Sequence, residues 1–456
     1  MTATVLPESC TGTVQGLNDH GEGLVNLSGQ CYCIRGALPG ERITFAPGLP
    51  YTPHARFSPG RLLSVEKAHP RRNLSPCPLG EHCGGCPLYS FDYNAQLQFK
   101  FGRLKEALEK VLSHTSAPPV EVQLRPAPQV QGSRHKSIRY FAKGAEGKAK
   151  LGFYAPLSHT LCPVDCCPQE TAAVNAFASS LLRLCQEHAL EAYDERSGLG
   201  ILRHLLIRDN GTGTLVAQLG LTAPPPLSFE QELSRLGAEH QVAACYLCVN
   251  EEPGNSVLKG TLRCLGPHDH ALFTLLSHEF FLKPHTFTQV NPQVAELLYR
   301  EALEHAGSNP KGTAWDLCCG IGTMTLPLAR RFGRVTGVEL AAPSVHVARN
   351  NAILNGIDNV SFVCADLAAF RPQPGSAPAA VIADPPRKGL GDEGLQLLRA
   401  LVPGTRVSAI YCEQKALLRE LPRLLESGFE LQGISAFDMF PYTFKLEVLL
   451  KLLKRR

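Results

Sequence analysis

No apolar run in this 456-residue chain approaches the length of a membrane span, and 44% hydrophobic with 19% charged residues is the balance of an ordinary globular protein. A membrane protein is not the expected class. The opening MTATVLPESCTG lacks both the basic and the apolar stretch of a secretory signal, so the chain is expected in the reducing cytoplasm. In that compartment seventeen cysteines do not form a disulfide framework, and their spacing has to separate metal ligands, nucleophiles and small buried hydrophobes. Charge is also scarce: a net +4 permits nucleic-acid binding without demanding it, because a local basic face matters more than the total.

The length allows two to four domains, and no internal repeat is visible. Residues 3–67 read as short alternating strands broken by turns at Asn18-Asp19-His20-Gly21 and Pro39-Gly40, a pattern that suits a small β-barrel. Cys77 to Cys86 is too rich in Pro, Gly and Cys to be regular. Tyr93 to Ser113 predicts a helix with an apolar stripe of Leu97, Leu104, Leu108 and Leu112. Residues 120–283 mix strands and helices, with a loop at Ala223 to Pro226.

From Thr313 the rhythm becomes strand, turn, helix, which predicts a parallel sheet covered on both faces. Such sheets bind ligands beyond the carboxyl ends of their strands, where Asp316, Glu339, Asp366, Asp384 and Cys412 are expected. DLCCGIGTMTL places a glycine turn at Gly320 and Gly322 after a buried strand, where helix-start amides can approach a ligand. Glu339 ends the next strand, where a carboxylate can accept ribose hydroxyls. A nicotinamide dinucleotide is the competing ligand, but Thr325 stands where the third glycine of its motif belongs. Asp366 is placed either to hold an adenine amino group or to cap a helix.

Asp384-Pro385-Pro386-Arg387 follows the fourth strand, where many methyltransferases hold the acceptor. Asparagine in the first position suits an exocyclic amine; an acceptor-only aspartate suits the N3-H of uracil. Carbon 5 of uracil is a poor nucleophile until a thiolate adds at carbon 6, and Cys412, ending the fifth strand, is aimed at the same mouth. The alternative for a strand cysteine is a small buried hydrophobe. After methyl transfer a base must remove the carbon 5 proton before the thiolate leaves. Three closely spaced thiols, Cys77, Cys83 and Cys86, flanked by Arg71 and Arg72, point to a metal, zinc or iron-sulfur. Cys245 and Cys248 lie in an apolar strand and read as core. Arg134, His135, Lys136, Arg139 and Lys143 form either a second basic patch or a solvated charged strand.

Taken in order, Cys77-x5-Cys83-x2-Cys86, Phe287-Thr288-Gln289-Val290-Asn291, Asp316-Leu317-x-Cys319-Gly320-x-Gly322, Asn350-Asn351-Ala352 with Asn355-Gly356, Asp384-Pro385-Pro386-Arg387, Cys412 and Phe440-Pro441-Tyr442-Thr443-x-x-x-Glu447 resemble the bacterial 23S rRNA 5-methyluridine methyltransferases of the uracil-5 RNA methyltransferase family, over essentially the whole length. The resemblance implies a multidomain α/β protein. Residues 1–68 would be a TRAM or OB-like RNA-binding barrel, 69–92 with 120–283 a central α+β iron-sulfur and RNA-binding domain, and 93–119 with 284–456 a Rossmann-like class I methyltransferase domain. It makes Cys412 the nucleophile, Glu447 the carbon 5 base, and Asp384 a ligand of the uracil edge. Phe287 would stack on a flipped base. S-adenosylmethionine would be held by Gln289, Asp316, Gly320, Gly322, Glu339, Asp366 and Asp384. A [4Fe-4S] cluster would sit on Cys77, Cys83, Cys86 and Cys162, with Cys166 and Cys167 as rivals for the fourth place. The spacing is not the CxxxCxxC of radical enzymes, so the cluster is expected to be structural.

The expected partner is RNA, 23S rRNA ahead of transfer RNA, with no membrane or DNA, and the chain is expected to act as a monomer. A weakly active RNA-binding relative and a dinucleotide-dependent oxidoreductase are the other classes. One departure matters: the family usually has Ser-Cys-Asn-Pro around the nucleophile, and here the residues are Tyr411-Cys412-Glu413-Gln414. A glutamate facing the sulfur would raise the thiol pKa, though neighbours in a strand point to opposite faces.

Overall fold

The computed structural model describes residues 7–455 apart from 50–55, 74–76, 116–117, 119, 145–146, 157, 253, 255 and 373–376. Parts of the expected barrel (1–6, 50–55) and of the expected 93–119 segment therefore lie outside the described residues. The chain forms two compact units: Met1–Lys100 with Gly152–Val164 and Phe440–Phe444, and Phe101–Leu151 with Asp165–Met439 and Lys445–Arg456. Among the described residues no helix is long and apolar enough to cross a membrane.

The first unit opens with β1 (Cys10–Thr13), β2 (Gly16–Leu17), β3 (Glu22–Leu27), β4 (Gln30–Arg35), β5 (Arg42–Pro47) and β6 (Phe57–Lys67), one sheet of order β1-β5-β6-β4-β3-β2. Alternate residues turn inward, and Val14, Val25, Ile34, Ala37, Ile43 and Phe45 make its core. The carboxylate of Glu41, wholly buried, is paired by both Nε and Nη2 of Arg72 at 2.6 Å, so the buried charge is compensated. Helix α1 (Tyr93–Leu112) has the expected stripe: Leu97, Leu104 and Leu108 are buried and Leu112 is partly so. Its first turns hold the segment 440–444, since Gln96 accepts from the Tyr442 amide at 2.6 Å and the Lys100 ammonium donates to the Thr443 carbonyl at 3.1 Å.

The next elements are β7 (Val122–Arg125), β8 (Lys136–Lys143), the hairpin β9 (Ala149–Tyr154) and β10 (Leu161–Pro163), α2 (Ala172–Glu187), β11 (Leu202–Asp209), β12 (Leu215–Leu221), α3 (Leu227–Glu239), β13 (Val242–Val249), β14 (Thr261–Cys264), β15 (Ala271–Leu275) and β16 (His278–Leu282). In the second unit β8, β11, β12, β13 and β14 are successive neighbours, with α2 and α3 packed on a core that includes Phe177, Leu205, Ile207, Leu219, Phe229 and Leu233. Cys245 and Cys248 on β13 are buried, as expected. The basic patch is different from expectation. Arg139 is 1% exposed and bonds Glu170 at 2.5 Å and Asn175 at 2.7 Å. Period two explains it, because Arg139 shares the inward face of β8 with Ser137 and Phe141; Arg134, before the strand, and Lys143, its last residue, are exposed.

The chain ends with α4 (Pro292–Ala306), β17 (Asn309–Leu317), α5 (Thr325–Ala329), β18 (Phe332–Glu339), α6 (Ala342–Leu354), β19 (Val360–Cys364), β20 (Ala380–Ala383), α7 (Gly391–Arg399), β21 (Arg406–Tyr411), α8 (Gln414–Glu426), β22 (Phe429–Phe437) and β23 (Glu447–Lys454). Their sheet has the order β19-β18-β17-β20-β21-β23-β22-β7. The first five strands are parallel, and β23 runs antiparallel to both of its neighbours. Strand β7, in the segment expected to be central, instead adds a parallel edge to β22 because Val122 and Leu124 pack on this sheet's apolar core.

Candidate active site

The five residues expected at strand ends are there. Asp316 is next to last in β17, Glu339 is last in β18, Asp366 lies two residues beyond β19, and Asp384 and Cys412 directly follow β20 and β21. Glu447 joins them for a different reason. Its strand is antiparallel to β21 with Tyr411 opposite Val448, so the first residue of β23 falls at the edge where β21 ends.

The glycine turn requires left-handed backbone at Cys318 (φ 63), Gly320 (φ 55) and Gly322 (φ 87). Nothing lies within 4 Å of where a Gly320 Cβ would stand, which leaves a backbone cradle open to a ligand. Glu339 fixes its rim, accepting from the Gly320 amide at 3.0 Å and the Ala341 amide at 2.8 Å. Asp316 is buried beneath the turn, where Thr325 donates to it at 2.6 Å. Burial pushes its carboxyl up to about 7, with Thr325 opposing and Asp384 and Glu339 adding to the rise. It braces the turn from below. Asp366 is exposed and accepts from the Ala368 amide at 2.9 Å within a turn; no described helix follows it directly, so it caps none. The Asn350-Asn351-Ala352 and Asn355-Gly356 motifs also gain a physical reason. Asn351 donates to the Ile321 carbonyl at 2.9 Å and accepts from the Phe281 amide, while Asn355 pairs with the backbone of Glu279, tying α6 to the turn and to β16.

Asp384 is partly buried, and burial raises its carboxyl to about 7 while a hydrogen bond from Gln289 pulls it back. Burial also raises Glu447 to about 8, Asp384 adding and Lys445 opposing, and among the described residues its Oε2 has no hydrogen-bond partner. The Cys412 thiol, partly buried, is pushed up to about 11 by burial, then Glu447 and Asp384, with Arg387 drawing it down. The acids that face the sulfur are therefore these two. Tyr299 on α4, which sequence reasoning missed, is buried with its phenol bonded to Thr323; burial raises it well above the usual range, helped by Asp384, Glu447 and Asp316. No motif marks a tyrosine on a helix face. Gln289 and Tyr299 also line a cleft of about 430 Å³, mouth included, with Thr323, Phe273, His135 and Asp209. Phe287 stands 60% exposed two residues before Gln289, and Asn291, which ends the same motif, caps α4 by accepting from the Val294 amide.

The unusual Tyr411 is accommodated by Glu420 on α8. Its phenol donates to Glu420 at 3.0 Å, and the same wholly buried carboxylate accepts from the amides of Leu390 and Gly391 and from Arg419. A Cβ at Gly389 (φ 85) would stand 2.2 Å from a Glu420 oxygen, so only glycine allows this approach. The segment after Asp384-Pro385-Pro386-Arg387 is thereby joined to the residue before Cys412.

Cys77, Cys83, Cys86 and Cys162 all fall in the first unit, whereas the rivals Cys166 and Cys167 belong to the second. The Gly84 amide donates to the Tyr154 carbonyl at 3.1 Å, which sets the cysteine loop against the β9–β10 hairpin that carries Cys162. Burial raises the Cys162 thiol, and Cys83 and Cys77 raise it further, so these thiols sense one another. Even so, among the described residues no group of three or more His, Cys, Asp or Glu stands in an arrangement that could hold a metal ion. The loop and the hairpin meet, but the geometry of their cysteines does not make a metal site.

The family described as tRNA (uracil-5-)-methyltransferase matches residues 277–370. An uncharacterized RNA methyltransferase of Gloeobacter violaceus is 32% identical over 444 residues, covering 96% of this chain and 95% of the relative. Another, of Halalkalibacterium halodurans, is 30% identical over 95% of this chain and 94% of the relative. The fold resembles that of the Pyrococcus abyssi tRNA (uracil-54, C5)-methyltransferase solved with S-adenosyl-L-homocysteine: TM-score 0.77, 22% identity, 97% of this chain and 100% of that one.

Proposed function

Because the chain belongs to the uracil-5 RNA methyltransferase family, and is an S-adenosylmethionine-dependent enzyme of it, we propose that it methylates carbon 5 of a uridine in 23S rRNA through a covalent bond from Cys412 to carbon 6. The observation that carries the reading is the meeting at one sheet edge of the Cys412 thiol with the carboxyls of Asp384 and Glu447, the latter with an oxygen that has no hydrogen-bond partner among the described residues. Bound S-adenosylmethionine would supply an electrophilic methyl group on a positively charged sulfur. Gly320 and Gly322 would give it backbone room, Glu339 and Asp366 would offer it carboxylates, the hydrogen-bonded pair Gln289 and Asp384 would line the same site, and Asp316 braces the turn.

Cys412, its proton released to solvent, adds its sulfur to carbon 6 and moves the C5–C6 electron pair onto the ring as an enolate. Asp384 holds the uracil edge and Phe287 stacks on the base. Carbon 5 takes the methyl group, Glu447 removes the carbon 5 proton, and the electron pair left behind restores the double bond as the thiolate departs. Cys412→Ala should form no adduct with RNA. Glu447→Gln should accept the methyl and then stall as a protein-RNA adduct on a denaturing gel, and 5-fluorouridine RNA should trap the wild type likewise. Methylation by Cys412→Ala, or product release by Glu447→Gln at the wild-type rate, would end the proposal.

The choice of 23S rRNA rests on residues 1–68 as a TRAM-type barrel and on a structural [4Fe-4S] cluster held by Cys77, Cys83, Cys86 and Cys162, features that accompany the ribosomal members of the family. The shared placement of the cysteine loop and the Cys162 hairpin supports the cluster. Protein purified without oxygen should then be brown; colourless protein would remove both the cluster and this argument. A transfer-RNA substrate is favoured by a different observation, the whole-length likeness to an enzyme whose substrate is tRNA. Mass spectrometry of rRNA and tRNA from a deletion strain decides between them. The protein is taken to work as a cytoplasmic monomer.

A further inference from the structure

Arg208, the next-to-last residue of β11, is 1% exposed, yet among the described residues it has no carboxylate partner. A buried guanidinium normally has a counter-charge, because leaving water is expensive. Here both terminal nitrogens of the fork are spent on one loop. Nη1 donates to the carbonyl of Lys283 at 3.1 Å, to the carbonyl of Thr286 and to the Thr286 hydroxyl at 3.1 Å, and Nη2 donates to the Thr288 hydroxyl. A second tie comes from the neighbouring strand region, where the His135 amide donates to the Val290 carbonyl at 2.8 Å. The loop so held, 283–290, carries Phe287 and Gln289, and Gln289 bonds Asp384.

We propose that Arg208 is a positioning residue for this reaction: its buried fork sets the 283–288 loop so that Gln289 reaches Asp384 and Phe287 stands ready for the target base. The chemistry favours arginine over lysine. A planar fork with five N–H groups can bind carbonyls and hydroxyls spread over six residues, which a single ammonium cannot do. Burial also pulls the Arg208 pKa down to about 9, the direction expected of a charge held without a counter-ion. The same contacts join β11, on which Arg208 pairs with Lys136 of β8, to the loop that carries Phe287.

The inference rests on the proposed roles of Phe287 and Gln289 only in its activity arm; a second arm reads the loop itself. The chain has a single tryptophan, the buried Trp315, so F287W adds an exposed indole whose fluorescence anisotropy reports loop order. In that background Arg208→Ala should lower the anisotropy, and millimolar guanidinium ion should restore it. In the otherwise native chain Arg208→Ala should cut kcat/KM for RNA on the order of a hundredfold, as expected for a small misplacement of reacting groups. Guanidinium should recover most of that loss, and Arg208→Lys should not. Should Arg208→Ala fail to fold, Thr288→Val, which deletes one acceptor, must show the same two effects in smaller measure. Unchanged anisotropy in the folded variant, or no recovery with guanidinium, overturns the inference whatever reaction the enzyme performs. An ordered-loop response together with failure of the Cys412 adduct test would instead leave the loop role standing and remove the proposed chemistry.

Discussion

Cys412 should be an unusually sluggish thiol until a cation arrives beside it. Its pKa is pushed from 9.0 up to about 11 by burial, Glu447 and Asp384, and two pH units mean about a hundredfold less thiolate than an unperturbed cysteine has at the same pH. Alkylation by iodoacetamide, quantified by mass spectrometry on the peptide that contains Cys412, reads that fraction directly. The free enzyme should react at this position on the order of a hundredfold more slowly than the thiol of a cysteine peptide. At about pH 9, where Asp384 and Glu447 are both ionised, Glu447→Gln removes the larger of the two opposing charges and should raise the rate by several-fold; Asp384→Asn should raise it less. S-adenosylmethionine and S-adenosylhomocysteine fill the same space but differ by one positive charge, so the first should speed the reaction relative to the second. If Cys412 in the free wild type reacts as fast as the thiol of a cysteine peptide, or if Glu447→Gln leaves its rate unchanged at about pH 9, the electrostatic account of the site is wrong.

Stability should depend on pH in a direction opposite to the common one. Asp316 and Asp384 at about 7 and Glu447 at about 8 keep protons that the unfolded chain loses near its ordinary carboxyl values. Between those limits the folded state binds more protons, so the stability that these groups contribute is lost as pH rises towards 8. Melting curves of the free enzyme should show it, with a shallower slope in Glu447→Gln; an identical slope would refute it. Arg139→Ala, which strands the buried Glu170, should cost about 3–5 kcal/mol of folding stability, whereas Arg134→Ala should leave stability alone and weaken RNA binding. Tyr411→Phe should cost about 1–3 kcal/mol by leaving the buried Glu420 oxygen short of a donor, and urea unfolding will read it.

Much of the site was legible because an open parallel sheet exposes its chemistry at predictable places. Strand counting from Thr313 put Glu339, Asp384 and Cys412 at the edge where they stand. The contents of helix faces and of antiparallel registers were not legible in the same way. Glu447 reaches Cys412 only because β23 runs backward beside β21, and Tyr299 reaches Asp384 from a helix with no motif at that position. Strand β7 joins a sheet more than three hundred residues away in sequence from its partner β22, a pairing that no local pattern encodes. Arg139 is a different case. The alternation Ser137, Arg139, Phe141 already placed it inward, but charge drew attention before period did. The glutamate adjacent to the nucleophile proved less important than its sequence position suggested, because the acids that meet the sulfur come from other strands.

The concentration of acid at this sheet edge makes sense once the charge of the reactants is counted. Asp316, Asp384, Glu447 and Cys412 all resist ionisation in the free enzyme, chiefly through burial and then through one another. A sulfonium brought among them favours each ionised form at once, including the thiolate needed to attack carbon 6 and the carboxylate needed to accept the carbon 5 proton. Methyl transfer then turns the cation into a neutral thioether, and the same groups lose the charge that held them ionised. Binding of S-adenosylmethionine should therefore release protons and strengthen with rising pH, while S-adenosylhomocysteine should bind with little proton release. Calorimetry of both ligands in buffers of different ionisation enthalpy measures that difference. Equal proton release by the two would mean that the acids serve only to shape the pocket.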